Sequence, residues 1–328
     1  MSYSRMYSLV PDVTDPSSPP RAYAPPEGGA RRPEKGWLDD APVTRALLTL
    51  NIALFVVQLV LTAGRSLLHL PEREALAFGA SYSLATLGEG RWETLVTACF
   101  LHFGILHIAF NMLALWQAGP LVERNVGSAR MAPMYLLAGS FGNLLSVALS
   151  LRERVPQFTV GASGAICGVF AAALVVAWRV QGWKGPVTQA MARWLGFLLL
   201  FGLAERWLNA GNIDNAAHFG GAIAGGAIAA TWRRGFRYSE RATRGVVAVC
   251  AAVLTTCIAI VGVRDHTDRF ATMSLPDRAQ FTAEARAEGR CRDAHDGLLA
   301  VERLRRSFAP VGNLRDAVER DCGHTVEP

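Results

Sequence analysis

Hydrophobic positions in this chain run in long unbroken stretches, without the short alternation of strands or the one-sided spacing of surface helices. Between bounding ionic residues, Arg45 to Arg65 encloses 19 uncharged positions, Glu93 to Glu123 29, Arg130 to Arg152 21 and Arg154 to Arg179 24. Asp214 to Arg233 encloses 18, and Arg244 to Arg264 encloses 19. A membrane-crossing helix needs about 20 mainly apolar residues, so six segments predict spans. A seventh, Val187–Leu208, is weaker: only Trp194–Ala204 is free of charge, with Arg193, Glu205 and Arg206 at its edges. It is read as a span because the helices around it would otherwise run against the loop charges.

Composition changes the picture only through its distribution. The 328 residues are 51% hydrophobic and 18% charged, against about 25% charged in ordinary soluble domains. The charges crowd into residues 1–45 and 264–328. Collagen-like, disordered and small disulfide-scaffold classes are excluded, and a soluble single-core enzyme does not fit the spans. Lys and Arg in the loops set an orientation. With the amino terminus inside, fourteen lie in inner segments, five of them between Arg233 and Arg244, and six in outer ones. The net charge of +6 is therefore a topology signal. No basic face gathers aromatics, and no nucleic-acid partner is expected.

Three regions follow. Residues 1–43 are polar and proline-rich, with no apolar stretch of the signal-peptide kind, and are read as a disordered cytoplasmic tail. Residues 44–264 form the membrane domain. Residues 265–328 carry 22 charged residues among 64 and read as a small helical extracytoplasmic unit. Its apolar Leu298, Leu299, Val301, Leu304 and Phe308 predict an amphipathic helix, one arm of a hairpin. Cys291 and Cys322 are the two cysteines of that unit, and on an oxidising outer side they are expected to form a disulfide. Cys99, Cys167, Cys250 and Cys257 lie in or near apolar spans and are read as buried packing residues.

Polar groups inside spans are costly and tend to be functional. The second span opens with His102, His107 and Asn111, the fourth with Gly161, Ser163 and Gly164, the sixth with Asp214 and His218. All three helices run from outside to inside, so the clusters share one depth near the outer face. Each also has a plain structural reading. Ser163 sits among glycines suited to close helix packing. His107 and Asn111, four apart on one helix face, equally suit an interhelical tie, and His218 an interhelical hydrogen bond or a metal ligand.

Taken together they are the parts of an acyl-transfer site. Ser163 would be the nucleophile and His218 the base that takes its proton. Asp214, one turn from His218 and directed to the loop, is not expected to orient it, which leaves a two-member dyad. The Ser163 N–H and the side chains of His107 and Asn111 fit the oxyanion-stabilising role. Gly161 and Gly164 let the backbone bend and approach a substrate closely. No cofactor and no metal are expected.

The motifs H-x-x-x-x-H-x-x-x-N (His102, His107, Asn111), G-x-S-G (Gly161–Gly164) and A-H-x-x-G-x-x-x-G (Ala217, His218, Gly221, Gly225) resemble those of the rhomboid intramembrane serine proteases. Gly119, Glu123 and Gly127 resemble the family's G-x-x-x-E-x-x-x-G. The likeness covers roughly residues 40–265. It implies an all-α polytopic membrane protein, a rhomboid-like six-helix bundle with Gly245–Val263 as a seventh, C-terminal transmembrane helix (6+1). It also implies His102 in a supporting hydrogen bond. The expected reaction is cleavage of transmembrane-protein substrates near the outer end of their helix. The expected setting is the lipid bilayer of a bacterial inner (plasma) membrane, with the N-terminus cytoplasmic and the C-terminus extracytoplasmic. One departure stands out: many members carry a Trp-Arg pair before the second helix, where this chain has Trp92-Glu93-Thr94. Two other readings are weighed. A catalytically inactive member that binds transmembrane clients would lack the serine or the histidine. A metalloprotein using His102, His107 and His218 would need a carboxylate beside them.

Overall fold

The computed structural model describes residues 36–153, 157–207, 214–233, 238–305 and 312–323, and from Trp37 onward they form one unit. The expected tail 1–43 lies outside the described residues up to position 35. The described chain is helical apart from one pair of two-residue strands.

Helix α1 (Pro42–Leu61) opens with proline, whose fixed φ suits a first turn. The amides of Val43 and Thr44 have no acceptor within their own helix. Glu123, near the end of α4 (Ile105–Val126), supplies one, accepting from Val43 N–H at 2.8 Å, Thr44 N–H at 2.7 Å and Thr44 Oγ1 at 2.8 Å. A carboxylate there also meets the positive end of the helix dipole. One turn earlier on α4, a Cβ on Gly119 would come within 2.5 Å of Thr44 Cγ2. Gly127, at φ +85°, ends α4. The G-x-x-x-E-x-x-x-G segment is thus the joint between α4 and α1.

Between α1 and α4 the chain forms α2 (Glu72–Ala77), strand β1 (Ser81–Tyr82) and α3 (Thr94–Thr97). After α4 come α5 (Ser128–Glu153), strand β2 (Phe158–Thr159), α6 (Ser163–Gln181), α7 (Pro186–Trp207), α8 (Asn215–Ala230) and α9 (Glu240–Thr267). Six of these, α1, α4, α5, α6, α7 and α9, are long and apolar enough to cross a membrane. Sequence expectation holds at the weaker of two segments and falls short at the other. The weak 187–208 stretch forms a 22-residue α7, whereas the 214–233 stretch yields a helix of only 16 residues. The charge-free count had included Thr231 and Trp232, which lie beyond the end of α8. Helix α6 is central, with 61% of its apolar window buried, while α7 and α9 are peripheral at 11% and 6%.

The bundle closes on glycine. A Cβ on Gly221 of α8 would lie 1.9 Å from the Gly164 carbonyl oxygen of α6, and one on Gly225 would lie 2.2 Å from that of Gly168. A Cβ on Gly142 of α5 would lie 2.5 Å from Ala217 O of α8. Helices α5, α6 and α8 therefore meet backbone to backbone, as small-xxx-small seams do.

Beyond α9 the expected hairpin is three helices, α10 (Leu275–Ala287), α11 (Cys291–Arg305) and α12 (Gly312–Cys322). Of the apolar positions named for it, Leu298, Val301 and Leu304 are buried on α11, Leu299 is exposed, and Phe308 is outside the described residues. Cys291 Sγ and Cys322 Sγ lie 2.11 Å apart, joining α11 to α12. Cys99 and Cys167 are buried, but Cys250 and Cys257 are only partly so, on the peripheral α9.

This terminal unit is docked on the α1–α4 connection. Leu304 packs with Tyr82 and Leu84, and Leu275 and Phe158 join that cluster. Arg278 is fully buried and satisfied: it pairs with Glu89 at 2.7 Å and donates to Ala300 O at 2.9 Å, Phe270 O at 2.8 Å and Met273 O at 3.2 Å. Arg91 also holds Glu89, at 2.5 Å, and donates to Ala271 O at 2.6 Å. Burial raises the Glu89 carboxyl, but the Arg278 hydrogen bond and the Arg91 and Arg278 charges outweigh it, and its pKa falls below the ordinary value.

Two outcomes are expected. Gly221→Ala forces backbone apart and is expected to destabilise the bundle by about 1–3 kcal/mol or more. Gly226→Ala, whose Cβ would meet Ala171 Cβ at an ordinary 3.7 Å, is expected to be neutral in thermal unfolding of the detergent-purified chain. Equal melting of the two variants contradicts the seam. Because the Glu89 pKa is depressed on folding, its contribution is complete above the unfolded carboxylate value and lost as pH falls through the folded one. The melting temperature is expected to drop on acidification, and the drop is expected to be weaker in Glu89→Gln.

Candidate active site

Ser163 is the first residue of α6, and the chain reaches it through β2 and one special glycine. Gly161 has φ +128°, a region L side chains rarely adopt, and a Cβ there would stand 2.7 Å from His107 Cε1. From the same point His107 Nε2 is 2.8 Å and Ser163 Oγ 3.7 Å away. Glycine is therefore what lets the His107 ring close on the serine loop. Gly161 N–H donates to Ala98 O at 2.8 Å, which anchors the turn. The first-turn amides of α6 have no side-chain cap, so the N–H of Ser163 remains for another acceptor. Ser163 is half-buried.

The ring of His107 is oriented from within its own turn. Phe103 N–H donates to His107 Nδ1 at 3.3 Å, which assigns the proton of the neutral ring to Nε2, the nitrogen facing Gly161. Asn111, one turn further along α4, is buried, and its Nδ2 has no acceptor among the described residues. Of these two donors, His107 Nε2 is the one that stands against the serine loop.

His102 supports this arrangement through packing and its main chain. Gln58 of α1 grips its backbone from both sides, donating to His102 O at 2.7 Å and accepting from His102 N–H at 3.3 Å. The buried His102 ring stands edge-on to His107 at 5.2 Å.

His218 lies in the first turn of α8, 7% exposed, with its N–H on Asp214 O at 3.1 Å. Asp214 caps that helix: its Oδ1 accepts from Ala217 N–H at 2.9 Å. Its Oδ2 accepts from Ser146 Oγ at 2.5 Å and Thr159 Oγ1 at 2.8 Å. The carboxylate is fully engaged with these groups, and His218 Nδ1 has no partner among the described residues. Among the described residues no carboxylate hydrogen-bonds the imidazole. A Cβ on Gly164 would lie 3.1 Å from Ala217 O, so Ser163 and His218 sit on adjoining turns of touching helices. The structure forms no hydrogen bond between them; such contacts are often long before substrate is bound. Among the described residues no three His, Cys, Asp or Glu side chains converge as metal ligands would.

Several supporting residues escaped sequence reasoning. Asn51 and Gln58 are polar positions seven apart, hence on one face of an otherwise apolar α1, and that spacing was the available signal. Ser146 and Thr159 had none, because their partner Asp214 is distant in sequence. Glu93, where a Trp-Arg pair was expected, lies 2.8 Å from Arg264 of α9. In this chain the position carries the opposite charge, and the guanidinium comes from another helix.

Residues 89–235 match the family model described as the Rhomboid domain. Rhomboid protease GluP of Bacillus subtilis (strain 168) is 39% identical over 153 residues, 46% of this chain and 28% of that protein. Rhomboid protease AarA of Providencia stuartii is 30% identical over 233 residues, 66% of this chain and 81% of that protein. RHOMBOID-like protein 5 of Arabidopsis thaliana is 34% identical over 139 residues, covering 41% of this chain and 42% of that protein. The chain thus spans most of one of these relatives and less than half of the other two.

Proposed function

The chain belongs to the rhomboid family, and on that premise we propose that it is an intramembrane serine endopeptidase acting on transmembrane-protein substrates. Proteins named rhomboid proteases are among its relatives. The observation that carries the reading is the convergence of Ser163, His107 Nε2 and the first turn of α8 around Gly161 and Gly164. In this reading Ser163 Oγ attacks the scissile carbonyl while His218 takes its proton. His218 then returns the proton to the leaving amine, and water releases the acyl-enzyme by the same route. The Ser163 N–H, His107 Nε2–H and Asn111 Nδ2–H stabilise the oxyanion, each such donor being worth about 3–4 kcal/mol. Six membrane-crossing helices and the short α8 make the 6+1 arrangement. The N-terminus lies inside and the site end faces out, in a bacterial inner membrane. Cys291 and Cys322 staple the terminal unit on that oxidising side. Substrates are cut near the outer end of their helix, where small and helix-destabilising residues yield.

A fluorophosphonate is expected to label the detergent-purified chain, and labelling is expected to vanish in Ser163→Ala and in His218→Ala. Labelling that never appears favours the inactive client-binding reading, and labelling that survives Ser163→Ala overturns the nucleophile. Asp214→Asn separates dyad from triad. Loss of an orienting aspartate costs about 10⁴ in kcat, whereas for a helix cap, a role asparagine also fills, the variant is expected to cost less than tenfold in cleavage and little in stability.

A further inference from the structure

A second polar cavity lies away from Ser163, where the α1–α4 connection, the end of α9 and the terminal helices meet. It encloses about 410 Å³ and is lined by Gly88, Glu89, Arg91, Arg264, Asp268 and Arg303. Arg278 stands behind Glu89, and Glu93 behind Arg264. Four guanidiniums thus face three carboxylates, leaving one positive charge in excess. Arg91 is 5% exposed and its Nε has no hydrogen-bond partner. Arg264 Nη1 and Glu93 Oε1 form an ion pair at 2.8 Å that is off the hydrogen-bonding direction. Arg303 is exposed and has no ion-pair partner among the described residues. Guanidiniums gathered with one charge uncompensated are costly unless an anion joins them.

The position narrows the acceptor. Val249, Val253, Ile260 and Val263 are exposed on α9, and Arg264 follows directly. The apolar surface of the helix therefore ends at the mouth of the cavity, the depth at which lipid headgroups sit. A phosphate group suits planar guanidinium forks better than a point anion does.

We propose that this cavity binds a singly charged phosphate group, held by Arg91, Arg264 and Arg303, which completes the junction between the α1–α4 connection, α9 and the terminal helices. The chemistry is common to a phospholipid headgroup and to free phosphate. The assignment does not rest on the protease reading.

The test uses the full chain purified in a phosphate-free maltoside detergent. Melting is followed against inorganic phosphate at fixed ionic strength, with chloride as control, and against added phosphatidylglycerol. Native mass spectrometry counts lipid adducts. A saturable rise in melting temperature of about 2–4 °C is expected, with apparent affinity falling about tenfold in Arg303→Ala. Arg303 is exposed, so that variant is expected to fold as the wild type does. A response to lipid with retained adducts identifies a headgroup site, and a response to phosphate alone identifies a free-anion site. No response to either, or a response equal in wild type and Arg303→Ala, overturns the proposal.

Discussion

The carbonyl of Gly164 occupies the space that any side chain on Gly221 would need, and the geometry of the candidate site descends from that contact. Helices separated by ordinary side chains hold their axes about 8–10 Å apart. With backbone against backbone, the first turns of α6 and α8 come together, and the residues beside the contact are Ser163 and His218. Glycine in a helix is unfavourable by about 1 kcal/mol relative to alanine, and the seam uses several. Close dispersion contact along three helices offsets that loss.

A second constraint acts at helix beginnings. Glu123 answers the free amides of α1, and Asp214 answers those of α8 while holding Ser146 and Thr159. The beginning of α6 has no such partner. Like α4, which also begins without a side-chain cap, α6 leaves its first amides free, and in the helix that opens with Ser163 such amides can serve a developing negative charge.

Legibility in the sequence followed the range of the interaction. The spans were visible because lipid acts on every residue of a helix alike, and so charge-free runs accumulate. His102, His107, Asn111, Ser163 and His218 were visible as polar exceptions within those runs. Lengths were read less well, since counting uncharged residues cannot tell a helix from its cap, and α8 is shorter than its charge-free run. Contacts between distant segments left no local trace. Arg278 reads as one more surface arginine on a charged helix, yet it is the most deeply buried cation described and pairs with Glu89 across 189 positions. Glu93 likewise looked like the loss of an expected arginine until Arg264 was found beside it.

The cover over the serine loop has an order in time. Phe158 and Tyr82, which pair β2 with β1 just ahead of Gly161, complete their packing with Leu275 and Leu304. Synthesis reaches those two leucines only after α6, α8 and α9 have all been made. A nascent chain that has just finished α9 therefore holds every candidate catalytic side chain but leaves that strand pair partly bare. The strand pair that leads into the loop gains its last packing partners only when α10 and α11 fold back on it, after every reactive group of the site has already been made.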